Sequence, residues 1–334
     1  MFSITSAKTH LIFSASTLSV LLATGCLGTE GASDSVSGAQ PAGAAGRAEP
    51  ASYPQDQELT GLSNSFRWFR WSKGDLVKTL MPTSTHVCGL TMVRGELATS
   101  TSLMVVRQGA NWVLRGLNPG SNFLQADAVC EPLSAFRVNA GRTVTIAGDF
   151  LASTTGKNVT RSTPLPARTA PIFTGLVGRF EGGGERARST LAPAVEIKNG
   201  TQDGTHTAAA TALSFGLAAG QNPRYLTYFN DGFVTADGVT IHGEGGEIFG
   251  DPEDIDLRCG AARCPFPIAP LASTFCYLSE VSGDFNGADE WVQVFPDRTR
   301  GDWTMAMEVN SGNGLTARAT CLAMDQTINV PIIR

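Results

Sequence analysis

What this chain lacks narrows its function before any motif is found. It contains no zinc-protease helix motif, no nucleophile-elbow pentapeptide and no phosphate-cradling glycine loop. The usual sequence grounds for hydrolase or nucleotide chemistry are therefore missing. Net positive charge is missing too. The formal charge is −5, so the overall balance gives no argument for nucleic acid or for an anionic membrane. The apolar run from Leu11 to Leu22 is too short to span a bilayer. Residues 27–57 hold almost no large apolar side chain and cannot offset the entropy of ordering.

What is present is β-type. Of 334 residues, 42% are apolar and 37 are glycine, enough to build a core broken by many turns. A degenerate repeat organises the chain, and repeats are sought first because missing one misreads the fold. Cys88, Leu90, Val93, Gly95 and Leu97 recur as Cys276, Leu278, Val281, Gly283 and Phe285. Trp112 and Trp303 each precede a closing cysteine, Cys130 or Cys321, by eighteen residues. The closing segments put Leu124, Ala126, Ala128 and Cys130, and Leu315, Ala317, Ala319 and Cys321, on one parity. Period two with a small apolar face is a half-buried strand. A second copy keeps Phe173, Leu176, Gly178 and Phe180, with Pro171 and Ala212 in the cysteine places. Propensity favours a helix over the Ala-rich stretch 206–219, whereas the repeat register favours a strand, and the strand is preferred.

Joint absence of both cysteines from the middle copy implies that they pair within a copy. The repeat thus selects Cys88–Cys130 and Cys276–Cys321 and leaves Cys259 with Cys264. Half a zinc site is the other reading of Cys259–Cys264, but no second pair at metal spacing is nearby. Removing Cys26 from the seven cysteines leaves six, which can pair fully in an oxidising compartment.

The chain begins as a secretory signal. Lys8 and the apolar run lead to Ala23-Thr24-Gly25-Cys26, which resembles a bacterial lipobox with Ala in place of the usual leucine. The resemblance implies lipidation at Cys26. Leu27 rather than Asp after it implies the outer membrane. The expected organisation is a signal with lipobox over 1–26 and a flexible tether over 27–57. Three β units follow: 58–132, 133–215 without cysteines, and 216–334 with an acidic insertion. The expected fold is all-β, three disulfide-framed hairpin units packed as a sandwich or repeat-type architecture. Lead hairpins are expected around Asp75–Leu80, Gly141–Ile146 and Asp237–Ile241, and a final strand over Thr327–Ile333.

Candidate chemistry competes with plainer roles. His206 falls on the inner parity of a strand, where a packed imidazole is favoured over a catalytic one. His242 near Glu244 is at best a weak base or ligand pair. Glu185 and Glu290 fall at matching repeat positions, with Ser102 in the first copy, and carboxylate-pair catalysis would need them to converge. Asp251, Glu253, Asp254 and Asp256 could bind Ca²⁺ but lack EF-hand spacing, so a solvated acidic loop is favoured. Trp68 and Trp71 could stack on sugar, but they alternate to opposite faces, and core packing of at least one face is favoured.

The frame Cys-x-Leu-x-x-Val-x-Gly-x-Phe, a later Trp and a closing Ala-x-Ala-x-Cys resembles repeats in predicted secreted proteins and lipoproteins of myxobacteria and relatives. It implies location and architecture, not an activity. The expectation is a surface-anchored, non-enzymatic envelope protein without a cofactor. Its expected partners are an outer-membrane lipid anchor and a glycan or envelope protein bound through loops, not nucleic acid. A structural envelope protein, or a hydrolase with a site between units, is the alternative.

Overall fold

A computed structural model describes residues 66–120, 123–181, 184–190, 193–201, 204–235, 238–244, 265–309 and 314–327. They belong to one compact unit, Gly46–Arg334. Apart from a 3-10 turn at Leu133–Ala135, the regular elements among them are strands. The first set is β1 (Arg67–Ser72), β2 (Lys78–Pro82), β3 (His86–Gly95), β4 (Ser102–Gln108), β5 (Asn111–Leu117) and β6 (Leu124–Pro132). The second is β7 (Thr145–Thr155), β8 (Thr160–Pro164), β9 (Thr169–Val177), β10 (Arg186–Thr190), β11 (Ala194–Lys198) and β12 (Thr205–Ser214). The third is β13 (Tyr225–Thr235), β14 (Gly238–Glu244), β15 (Phe266–Pro270), β16 (Thr274–Gly283), β17 (Trp291–Asp297), β18 (Asp302–Glu308) and β19 (Leu315–Ala323).

These strands form three antiparallel sheets, ordered β1-β6-β3-β17-β18-β15, β7-β12-β9-β4-β5-β2 and β14-β13-β19-β16-β10-β11-β8. Each sheet joins two units. Its first half is a lead strand, a closing strand and an opening strand from one set. Its second half is the inner hairpin and a short strand from another. Unit one extends unit two, unit two extends unit three, and unit three extends unit one. The junctions match residue for residue: Val93 faces Val292, Leu176 faces Leu103, and Val281 faces Ala187.

A second closed circuit lies just beyond the opening strands. Leu97 N donates to Phe285 O (2.9 Å), Phe180 N to Leu97 O (2.8 Å) and Phe285 N to Phe180 O (2.6 Å). These are the last residues of the repeat frame in the three copies. The frame glycine ahead of each is equally constrained. Gly95 and Gly283 have φ +105° and +111°, and a Cβ there would stand 2.2 and 2.3 Å from the carbonyl oxygens of Phe123 and Gly314. Only glycine takes that backbone conformation without penalty. Further along the same three strands Gly89, Ile172 and Tyr277 meet at equivalent positions. A Cβ on Gly89 would lie 2.9 Å from Tyr277 Cβ and 3.1 Å from Ile172 Cγ2. Tyrosine in one unit thus requires glycine in another.

Within units the frame behaves as its spacing implies. Cys88 is paired with Cys130 and Cys276 with Cys321, both across β-partners with Cα atoms 4.0 Å apart. Trp112 Nε1 donates to His86 O (2.8 Å) and Trp303 Nε1 to Thr274 O (3.0 Å), in each case the residue two before the opening cysteine. The Ala-rich stretch is strand β12, paired on both sides with β7 and β9. Sheet pairing outweighs helix propensity there.

One expectation is corrected, and another lies mostly outside the described residues. The lead segments are not equivalent to one another. Topology places β2, β8 and β15 in matching positions, whereas Thr145–Ile146 opens β7, the counterpart of β1, and 238–241 lies in β14, a strand peculiar to the third set. The expected strand at Thr327–Ile333 falls, beyond Thr327, outside the described residues.

The disulfides close loops with sequence separations of 42 and 45, worth about 4 kcal/mol each in a chain-entropy model. The joint change Cys88→Ala and Cys130→Ala should lower the unfolding free energy by up to that amount. Non-reducing peptide mapping of the wild type should recover both bridges within units, and no bridge linking the outer copies.

Candidate functional site

The circuit of Leu97, Phe180 and Phe285 marks one end of the three-unit ring. The loops after β3, β9 and β16 turn there, and the segments entering β6, β12 and β19 return there. The first unit supplies the best-defined surface at this end. Lys73 N donates to Leu124 O (2.9 Å) and Lys73 Nζ to Gly120 O. Lys78 pairs with Leu114 on β5. The turn 73–77 is thereby held between the end of β5, at Leu117, and the start of β6, at Leu124. Asp75 fixes it from within: its carboxylate accepts from Ser72 N (3.0 Å) and its carbonyl from Trp71 Nε1 (3.0 Å).

On this rigid base four apolar side chains face solvent: Leu76 (90% exposed), Leu117 (58%), Val77 (46%) and Phe123 (39%). Arg94 lies over the Phe123 ring, 4.7 Å from its centroid. Lys73 and Arg115 are exposed beside these apolar side chains, whereas Lys78, opposite the buried Leu114, stands on the other face of the β2–β5 ribbon. The sequence hint for this site was the pair Leu76-Val77 directly after the Lys73-Gly74 turn. It is obscured if the strand is started at Asp75; β2 in fact begins at Lys78.

The residues singled out in the sequence lie elsewhere. Trp68 and Trp71 are interior, at 1% and 2% exposure, so neither offers a face for sugar. Trp71 is boxed in: a Cβ on Gly116 would come within 2.3 Å of its ring. His206 is a packed imidazole, with Nε2 donating to Arg179 O (2.6 Å) and the ring set edge-on to Phe180. Glu185 and Glu290 do match each other, but the strand register makes Thr101, not Ser102, their counterpart. All three are buried. Their backbone acts at the junctions: Thr101 O accepts from Gly178 N, Glu290 O from Gly95 N, and Glu185 O from Ser282 Oγ. Cys26, Asp251, Glu253, Asp254, Asp256, Cys259 and Cys264 lie outside the described residues, as do the side chains of His242 and Glu244. Among the described residues no group of three or more His, Cys, Asp or Glu is placed to hold a metal.

The same cross-strand row carries different chemistry in each sheet. In the first sheet Gln293, Met92 and Asp127 are buried. Asp127 accepts two bonds from Arg70 (2.7 and 2.8 Å) and one from Gln293 of the third unit (3.1 Å). Burial pushes its carboxyl up, against the pull of Arg70, Gln293 and Trp68. In the second sheet the row is Met104, Gly175 and Ala209. In the third it is Arg188, Glu280 and Arg318, ion-paired across the strands, with Glu196 following.

Two buried carboxyls stand out. Glu131 takes the place of Leu213 and Leu322 in the other copies, and neither of its oxygens has a hydrogen-bond partner. Burial pushes it up to about 8. Glu290 is pushed up to about 7, by burial first and then by Asp284 and Asp289. In the folded state Glu131 keeps its proton to about pH 8, whereas unfolded it ionises near 4.5. The unfolded state thus releases a proton that the folded state holds. Stability should fall as pH rises between those values and level off above, at a slope of up to about 1.4 kcal/mol per unit. Glu131→Leu should raise the melting temperature at pH 8 and flatten the decline between pH 5 and pH 8, measured by thermal unfolding. Asp127→Asn should destabilise by roughly 3–5 kcal/mol, because it strips the counter-charge from a mostly buried Arg70; denaturant titration measures it.

Comparison with known proteins adds no relative: no family model, no curated protein and no solved structure matches the chain. The two disulfides belong to an oxidising, extracytoplasmic setting. Among the described residues no helix is long and apolar enough to cross a membrane.

Proposed function

We propose that this chain is a non-enzymatic β-repeat protein of the cell envelope that binds a ligand or partner through the loops at the circuit end of its ring. It is tethered to the outer membrane by lipid on Cys26. One observation carries the binding function. Leu76, Val77, Leu117 and Phe123 stand in solvent on hydrogen-bonded loops, while the other large apolar side chains around them fill the core. Scattered exposed apolar residues need no explanation, but a cluster on an ordered base is the usual mark of a contact surface. Loops held by a rigid scaffold are also where binding residues concentrate. The Ala23-Thr24-Gly25-Cys26 run and the extracytoplasmic bridges support the tether.

Two measurements test this. Cys26→Ser should move the protein from the membrane fraction to the soluble one, and mass spectrometry of the wild type should find an acylated N-terminal cysteine; an unmodified Cys26 inside a longer mature chain refutes the tether. Capture of envelope components, whether glycan, protein or lipid, should be lost in the double variant Leu76→Ser, Leu117→Ser and kept in Leu151→Ser. Leu151 is also exposed but lies on β7, away from the loop end, and equal loss in both variants refutes the loop site.

A further inference from the structure

We infer that the loop end of the first unit is a docking surface for an anionic phospholipid bilayer. The inference deepens the binding function proposed above and rests on it. Leu76, 90% exposed, projects from a turn whose base is fixed by Lys73 N to Leu124 O and by the Asp75 bonds. Leu117 and Val77 flank it. Apolar tips on a hydrogen-bonded turn suit insertion at the boundary between headgroups and acyl chains. Lys73 and Arg115 are exposed beside the tips: Lys73 opens the turn, and Arg115 shares the β5 face of Leu117, against Asp75 as the acid of the turn. The patch is therefore locally positive on a chain whose net charge is −5. Exposed basic side chains beside an apolar tip are the complement of an anionic headgroup layer.

Other occupants fit less well. A sugar would need an open aromatic face with polar groups beside it, but the one aromatic ring of the patch, Phe123, has a face taken by Arg94 at 4.7 Å. A protein partner would favour buried aromatic anchors in a flat or pocketed patch, whereas here the most exposed residue is a leucine at a turn, flanked by Leu117 and Val77.

The test uses the chain as cells process it, carrying Cys26→Ser so that no acyl group contributes. Cosedimentation is measured with vesicles of phosphatidylcholine alone and with an equal mixture of phosphatidylcholine and phosphatidylglycerol. Binding to the anionic vesicles should exceed binding to the neutral ones and weaken with salt. Leu76→Ser with Leu117→Ser should lower it roughly tenfold or more, given about 0.8 kcal/mol per buried methylene, and Leu151→Ser should leave it unchanged. Lys73→Glu with Arg115→Glu, at exposed positions outside the core, should lower it as well and keeps the test decisive if the leucine variant folds poorly. Equal binding to both vesicle types, no vesicle binding, or full binding by both double variants overturns the inference. If vesicles fail while a glycan or envelope protein is captured in a Leu76- and Leu117-dependent way, the lipid assignment falls and the loop-end function stands. If no capture of any kind depends on these residues, both fall.

Discussion

The structure depends on a hand-over of strands. No unit finishes its own sheet: the inner hairpin of each is hydrogen-bonded to the opening strand of another, and the series closes after three. Each junction is short, three residue pairs wide, and a two-stranded ribbon of that length has little stability alone. The circuit through Leu97, Phe180 and Phe285 locks the junctions by making each backbone donor's partner belong to another unit. The middle unit can therefore lack a disulfide: β9 is held between β12 and β4, and β12 between β7 and β9.

On this common lattice the three sheets have diverged. The row that is Gln293, Met92 and Asp127 in one sheet is Met104, Gly175 and Ala209 in the next and Arg188, Glu280 and Arg318 in the third. Backbone pairing fixes where these side chains stand but not what they are, so each sheet can carry its own chemistry without disturbing the ring. The cost is visible where polar groups went inward. Glu131, in a place held elsewhere by leucine, weakens the fold as pH rises through its titration window.

How much of this was legible in the sequence depended on whether the information is local. The disulfide partners, the tryptophan donors and the frame glycines follow from spacing, because each acts within one unit or on its own backbone. The strand at 205–214 could be chosen over a helix because its register matched two better-marked copies. The hand-over was not legible: Val93 could as well face Leu103 as Val292, and no side-chain pattern distinguishes the two. The mismatch of Glu185 and Glu290 with Ser102 has a simple cause. The loop from the frame glycine to the inner hairpin is one residue shorter in the first unit (Gly95 to Ser102) than in the others (Gly178 to Arg186, Gly283 to Trp291), so a fixed offset drifts by one. Burial of both Trp68 and Trp71 was also hidden, because alternation puts them on opposite faces and only the packing of both faces of β1 decides it.

Closure of the circuit also sets a rule on how such a protein can change. An open solenoid can gain or lose repeats at its ends, since each repeat touches only its neighbours. Here each of the three frame residues donates to one unit and accepts from the other, and a fourth copy would find no free partner. The copy number is fixed by geometry, and variation is confined to loops and sheet faces. The long insertion between β14 and β15, in the unit that also owns an extra strand, is the kind of change that this leaves open.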